Sequence, residues 1–499
     1  MSGALTRSAV HGVTWLGISQ VLGQFMRFVA MIVLARLLLP EDFGVVAMAI
    51  IVTELVLQTG DLGFSEAIIQ RKEVTASHLS TSFWAGWGLG IILCALTAAI
   101  SPFAANFFGD EQVGPVLAVS ALAFVIAPLR TVHGALLRKR LQFFRFSIGE
   151  IGQAVTYVAV AVPLAFAGFG VWSLVLGNLA SHLALVILRW VLCRWHPSIM
   201  FSIKSLKDLW GFGLNLTGSR AVQFVTERLD YLIIGRFLAT AAMGFYNLGY
   251  RIISFPTNAV SMTAGRVAFP TFSIVQDEDE RLRRGFTKSL TYLSLIVFPL
   301  FVGLAIVAPE LVEVVFGQKW AAAVSPVQIL CIMAAIASIS VTVGPLLRSK
   351  GRPDIELKFN LVKVALLVPA LLIGVKFGTV GVAAGVSAVA AVIWLPRQVF
   401  ANRLIGLRMR DYLTSLRPAA FGSVVMALTL LAFRYTAASL LALPDVGLLI
   451  NSVLLGAVAY FVTLRAARTK ALNEMIELSM EMVKPYARLV MAKMLLVWR

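Results

Sequence analysis

One stretch, SRAVQFVTERLDYLIIGRF (residues 219–237), carries Arg220, Glu227, Arg228, Asp230 and Tyr231 inside a run otherwise apolar enough to cross a bilayer. A guanidinium never deprotonates, and its planar fork can hold two phosphate or carboxylate oxygens at once. A carboxylate can lock two helices by pairing with such a cation, or serve in ion coupling. Three more cations stand in comparable settings. Arg27 follows Gln20 and Gln24 by seven and three residues, Arg251 lies on the helical face of Asn247 and Ser254, and Lys363 sits near one end of a later run. An ionised side chain at mid-bilayer costs about 2.5–3.5 kcal/mol, so such groups face a bundle interior or a water-filled cavity. Pairing of Glu227 or Asp230 with Arg228 or Arg251 would lock two neighbouring helices together. It cannot neutralise everything, because the clear intramembrane acids are Glu54, Glu227 and Asp230 against five cations. The surplus predicts a cavity that attracts anions, lined by Arg27, Arg220, Arg228, Arg251 and Lys363.

These residues need a membrane scaffold. Of 499 residues, 59% are hydrophobic and only 14% charged, more apolar surface than a soluble chain of this length can bury. Apolar runs near twenty residues predict an all-α polytopic protein; a β-barrel would show ten-residue strands of alternating polarity. About fourteen spans fall near 13–37, 43–60, 80–102, 114–133, 148–167, 171–192, 212–236, 245–265, 289–309, 323–346, 357–375, 380–401, 416–434 and 446–464. The N-terminal run contains Gln20, Gln24 and Arg27, which reads as a first span and not as a cleaved signal.

The formal charge of +18 follows from topology. Of 43 Lys and Arg, 33 fall on one side of the membrane and five, Arg36, Arg236, Lys319, Lys376 and Arg434, on the other. The positive-inside rule then places both termini in the cytoplasm of a multi-pass inner-membrane protein. No nucleic-acid partner is needed to explain the charge. Outer loops are about a dozen residues at most, too short for an external domain.

The chain also echoes itself. ARLLLPEDFG (35–44) returns as GRFLATAAMG (235–244), NFFGDEQVGPVL (106–117) as EVVFGQKWAAAVSPVQIL (313–330), and LLRKR (136–140) as LLRSK (346–350). Six spans separate equivalent points, so the copies share an orientation. This predicts two six-helix lobes, 1–208 and 209–410, related by a pseudo-twofold axis along the membrane normal. Two extra helices (411–465) and a cytoplasmic amphipathic tail (466–499) complete the chain.

VLARLLLPEDFGVVAMA (33–49), TGDLGFSEAIIQRKEVTASHLSTSFW (59–84) and ERLDYLIIGRFLATAAMGFYNLGYRI (227–252) resemble the two signatures of bacterial polysaccharide exporters. These belong to the multidrug/oligosaccharidyl-lipid/polysaccharide superfamily, and the resemblance is nearest to Wzx-type flippases. It implies a transporter, not an enzyme, that moves undecaprenyl-diphosphate-linked oligosaccharide to the outer leaflet for exopolysaccharide, O-antigen or capsule synthesis. It further implies alternating access between two lobes, with or without coupling to a proton or sodium gradient, and cationic cavity residues. The five cations above are the positions that can fill that role. Polysaccharide polymerase or other assembly proteins are the implied partners besides lipid.

Two rival functions are weaker. A drug/cation antiporter of the same superfamily should have an acidic cavity, and a membrane polymerase or ligase should have a large external loop. Trp320, in PELVEVVFGQKW (309–320), is expected to anchor at the outer interface. Asp61 and Glu66 read as a cytoplasmic loop or helix cap. The acids followed by bases in VQDEDERLRRGFTK (275–288) read as an exposed helix start. Cys94, Cys193 and Cys331 stand singly, and the five histidines have no ligand spacing, so no metal or cofactor is expected.

Overall fold

The computed structural model describes residues 2–59, 63–437, 444–475 and 477, with side chains for these except 2–14, 16, 18, 58–59, 210–222, 225 and 260–267. Among the described residues every regular element is helical. The order is α1 (Ser2–Leu37), α2 (Pro40–Thr59), α3 (Phe64–Gln70), α4 (Ala76–Phe108), α5 (Val113–Ser120), α6 (Leu122–Ile126), α7 (Pro128–Lys139), α8 (Phe143–Phe166) and α9 (Val171–Leu192). It continues with α10 (Ile203–Phe237), α11 (Thr240–Ile274), α12 (Asp279–Leu311), α13 (Val324–Ile339), α14 (Val343–Ser349), α15 (Pro353–Gly374), α16 (Gly378–Leu404), α17 (Met409–Thr436) and α18 (Asp445–Ala466).

Each expected span maps onto a long helix or a broken one. The fourth is divided into α5, α6 and α7, with a bend of 43° between Val113–Ile126 and Pro128–Lys139. Pro128, which lacks an N–H and fixes its own φ, opens the second piece. Among the described residues nine segments are long and apolar enough to cross a membrane, one of them holding both α15 and α16. The protein is an all-helical multi-pass membrane protein.

By internal contacts the chain forms two compact units, Met1–Arg251 with Leu371–Val382, and Ile252–Ala370 with Ala383–Arg499. Without water competing for apolar surface, helices associate by close packing of small residues. In the first unit Gly177 lies so close to Ala161 of α8 that an added Cβ would fall 2.6 Å from the alanine methyl. In the second, α12, α17 and α18 pack together, and Leu472 of the tail is buried with Leu295, Ala419 and Leu464. The tail therefore begins as a packed segment, tied by Glu474 to Lys288 at 2.7 Å and to the Tyr292 hydroxyl at 2.8 Å. Its continuation past 477, expected to lie on the membrane, is outside the described residues, as is Asp61.

Two repeat-equivalent positions meet within the first unit. Gly44 of α2 faces the Thr240 carbonyl at the start of α11, and Gly244 of α11 faces the Pro40 carbonyl at the start of α2. A Cβ at either glycine would sit at 2.0 or 1.9 Å from the opposing oxygen. The contact is reciprocal, as a twofold relation between equivalent segments requires. Thr240 is further fixed by donating to Asp110 at 2.6 Å, and Asp42 accepts the Leu39 N–H at 2.9 Å.

Trp320 departs from the expectation. It is fully buried, because the segment after α12 folds into a π turn (Val312–Phe316), passes Gly317 at φ 99°, and continues as a 3-10 turn (Gln318–Ala323). That turn carries Trp320 inward beside Ala323, so it packs in the second unit and does not anchor at the lipid surface. Nearby, Arg434 pairs with Glu310 at 2.7 Å and also donates to the Ile306 carbonyl.

Candidate functional site

The C-terminal third of α10 and the first third of α11, together with α2, carry a cluster of polar groups in the first unit. Arg228 of α10 donates to Glu54 of α2 at 2.8 Å, and its guanidinium stands 4.9 Å from the centre of the Tyr231 ring. The pairing partner thus comes from another helix and not from Glu227 or Asp230. The reason is geometric: residues one and two apart on a helix point in different directions and cannot face one another. Glu227 is exposed and accepts from Gln223, four residues earlier, at 2.9 Å.

Asp230 is buried and turned toward α11, where the Tyr246 hydroxyl donates to its Oδ2 at 2.6 Å. The Tyr231 N–H donates to its Oδ1 at 2.9 Å. Tyr231 in turn donates through its hydroxyl to Asn247 Oδ1 at 3.3 Å, and Arg251 Nε donates to the same oxygen at 3.2 Å. Three tyrosine rings, Tyr231, Tyr246 and Tyr250, stack or meet edge-on with centroids 5.6 to 6.5 Å apart. A chain of contacts therefore runs from Glu54 through Arg228, Tyr231 and Asn247 to Arg251.

Arg251 has a further neighbour. Both it and Arg27 of α1 lie within electrostatic reach of Tyr157 of α8. The side chains of Arg27 and Arg251 are exposed, and among the described residues neither is paired with a carboxylate. Of the five cations singled out by sequence, Arg27, Arg228 and Arg251 are thus gathered in the first unit. Lys363 of α15 lies half-buried in the second unit. The side chain of Arg220 is outside the described residues. Glu54, Tyr157, Tyr246 and Asn247 belong to the arrangement without having been singled out as site residues. Asn247 carried a local signal in its spacing of four from Arg251, and Glu54 in being an acid within an apolar run.

Chemically, Arg228 is a paired, structural cation with its ring neighbours holding it in place. Arg27 and Arg251 are exposed and have no carboxylate partner among the described residues, a property that suits an anionic ligand.

The family model described as polysaccharide biosynthesis protein matches residues 33–325. The chain belongs to this family. Among curated members of similar sequence, the lipopolysaccharide biosynthesis protein WzxC of Escherichia coli is 30% identical over 421 residues, covering 83% of this chain and 85% of WzxC. The teichuronic acid biosynthesis protein TuaB of Bacillus subtilis is 29% identical, covering 85% and 86%. Among solved structures, the lipid II flippase MurJ in an inward closed conformation superposes with a TM-score of 0.75 at 13% identity, over 91% of this chain and 98% of MurJ. At that identity the likeness shows the fold alone. All three of the sequence motifs that suggested the family lie within the matched region, which also covers the Gly44–Gly244 crossing and Arg251 but begins after Arg27.

Proposed function

We propose that this member of the family is a flippase that carries an undecaprenyl-diphosphate-linked oligosaccharide from the inner to the outer leaflet of the bacterial cytoplasmic membrane. The observation that carries the reading is the pair Arg27 and Arg251, two exposed cations near Tyr157 that have no carboxylate partner among the described residues. Relatives named for lipopolysaccharide and teichuronic acid biosynthesis support the same substrate class, and a relative named as a succinoglycan biosynthesis transport protein favours a transporter over a polymerase, ligase or drug antiporter.

The physical task fits that pair. A polyprenyl tail is at home in hydrocarbon, whereas a diphosphate and its sugars are not, so the protein must shield only the head group. Arginines that hold phosphate in a polar cleft compensate for the lost hydration. In the proposed cycle the lobes 1–208 and 209–410 rock to expose the cleft alternately to each side. Lys363 and Arg220 serve the cytoplasmic end and Arg251 the outer end, with both termini cytoplasmic. Asp230, held by Tyr246, is a packing group in this scheme. Glu227, exposed four residues before Tyr231, is the acid open to a proton or sodium ion.

Depletion in cells tests the proposal. Spheroplasts lacking the protein should accumulate lipid-linked repeat units that an added glycosidase cannot reach, with exported polymer lost. Accumulation of accessible single repeats would instead place the block after translocation and favour a polymerase. Collapsing the proton and sodium gradients separately identifies the driving ion.

A further inference from the structure

A second cluster of cations lies wholly within the first unit. A cavity of about 410 Å³ opens between α2, α3, α4, α7, α8 and α9, with Arg130, Arg138, Arg189, Glu150, Ser65 and Thr131 among its polar lining. Its other walls are largely apolar, including Val56, Leu93 and Phe124. Three guanidiniums against one carboxylate is an unusual lining for space inside a membrane protein.

The arginines are held, yet incompletely satisfied. Arg189 is 3% exposed; its Nη2 donates to Glu150 Oε1 at 2.8 Å and its guanidinium lies 3.7 Å from the Phe146 ring centre. Its Nη1 is buried and has no hydrogen-bond partner. Arg138 donates through Nη2 to Ser65 Oγ, while its buried Nε is likewise unpartnered. Burying an ionised group with open donors is costly, and each such donor in a native structure calls for a reason. Glu150 meets Arg189 through Oε1, and these two donors stay unpartnered beside it.

We propose that this cavity binds a phosphate or diphosphate group. Guanidinium groups from α7 and α9 line the same cavity, the kind of forked donor that a multi-oxygen anion requires. The volume lies within the range of about 300–1,000 Å³ usual for small-ligand pockets. By the charge asymmetry of the loops, α7 ends and α8 begins on the cytoplasmic side, so the site is loaded from there. Two sources share this chemistry, a free anion and the head group of a prenyl diphosphate lipid, and the apolar walls suit the carbon of the latter. The proposal draws on the flippase reading only for that lipid, and stands without it for the anion.

Isothermal titration of the purified full-length protein in detergent separates the cases, with inorganic diphosphate and farnesyl diphosphate as probes. The expected result is binding that Arg138→Gln weakens roughly tenfold or more, as loss of a charged hydrogen bond should. Glu150→Gln should tighten it, since the competing carboxylate is gone. Because Arg189 is deeply buried, these two variants carry the test in place of its replacement. Equal affinity for both probes identifies a free-anion site, and tighter farnesyl diphosphate a lipid head-group site. A parallel Arg27→Ala/Arg251→Ala variant removes binding at the other pair of cations, and the binding it keeps should still weaken on Arg138→Gln. No binding, or binding indifferent to Arg138→Gln and Glu150→Gln, overturns the proposal; binding lost only in the Arg27/Arg251 variant assigns the anion to that other pair and overturns it as well.

Discussion

Arg251 and Arg27 have the same formal charge as Arg228, but different work to do. Arg228 is matched by Glu54, so its replacement should act first on folding. Breaking such an intramembrane pair leaves Glu54 without its cation, and Arg228→Ala should lower the melting midpoint of the purified protein. Arg27→Ala and Arg251→Ala should leave that midpoint near the parent value and reduce transport roughly tenfold or more, the loss of one charged hydrogen bond to the substrate. Export of polymer at matched expression reads this out. Tyr246→Phe removes the donor to Asp230 Oδ2 and should destabilise by about 1–3 kcal/mol, the cost of an unsatisfied buried acceptor; Asp230→Asn should partly rescue it. The sequence already showed that these groups were misplaced for hydrocarbon, because one charge per apolar run is visible without a fold. It showed Asn247 beside Arg251, four residues apart on one helix. It did not show Glu54 as the partner of Arg228, since they are 174 residues apart and only tertiary packing joins them.

Helices set where these residues can meet. The paired echoes at 35–44 and 235–244 read in the sequence as a duplication; in the fold they touch each other, glycine to carbonyl, at Gly44–Thr240 and Gly244–Pro40. A methyl group cannot fit where backbone oxygen is the obstacle, so Gly44→Ala and Gly244→Ala should each force α2 and α11 apart. A cysteine placed at Thr240 should then react faster with a membrane-impermeant thiol reagent applied from outside, while insertion into the membrane is retained. An unchanged labelling rate would mean that the crossing opens freely in the parent protein. Span positions were legible because hydropathy over twenty residues averages out local detail. The position of Trp320 was not, because an aromatic residue at the end of an apolar run has the same sequence whether a turn carries it inward or leaves it on lipid.

The duplication extends to charges that loop counting had set aside. In the first unit Arg138, Glu150 and Arg189 line one cavity; in the second, Glu356 of α15 lies 3.6 Å from Arg348 and 3.8 Å from Arg397. The two sets are separated by 206 to 210 residues, the interval of the third sequence echo. Arg138 and Arg348 were visible in LLRKR and LLRSK, but their partners are single residues on later helices. Counting them as cytoplasmic loop charge hid the clusters. Glu356→Gln should expose Arg348 and Arg397 to one another and lower the melting midpoint, an effect that high salt should lessen only in part because Arg397 is largely buried. At the scale of the whole molecule the central claim is movement of a head group past a bilayer. Purified protein in liposomes, loaded with a short polyprenyl diphosphate carrying a fluorescent sugar, tests it through quenching by a membrane-impermeant reagent. The account predicts that quenching proceeds past the externally exposed fraction in vesicles containing the parent protein and stalls there with Arg27→Ala/Arg251→Ala. Quenching that stops at the exposed fraction with the parent protein, or continues unchanged in the double variant, would contradict it.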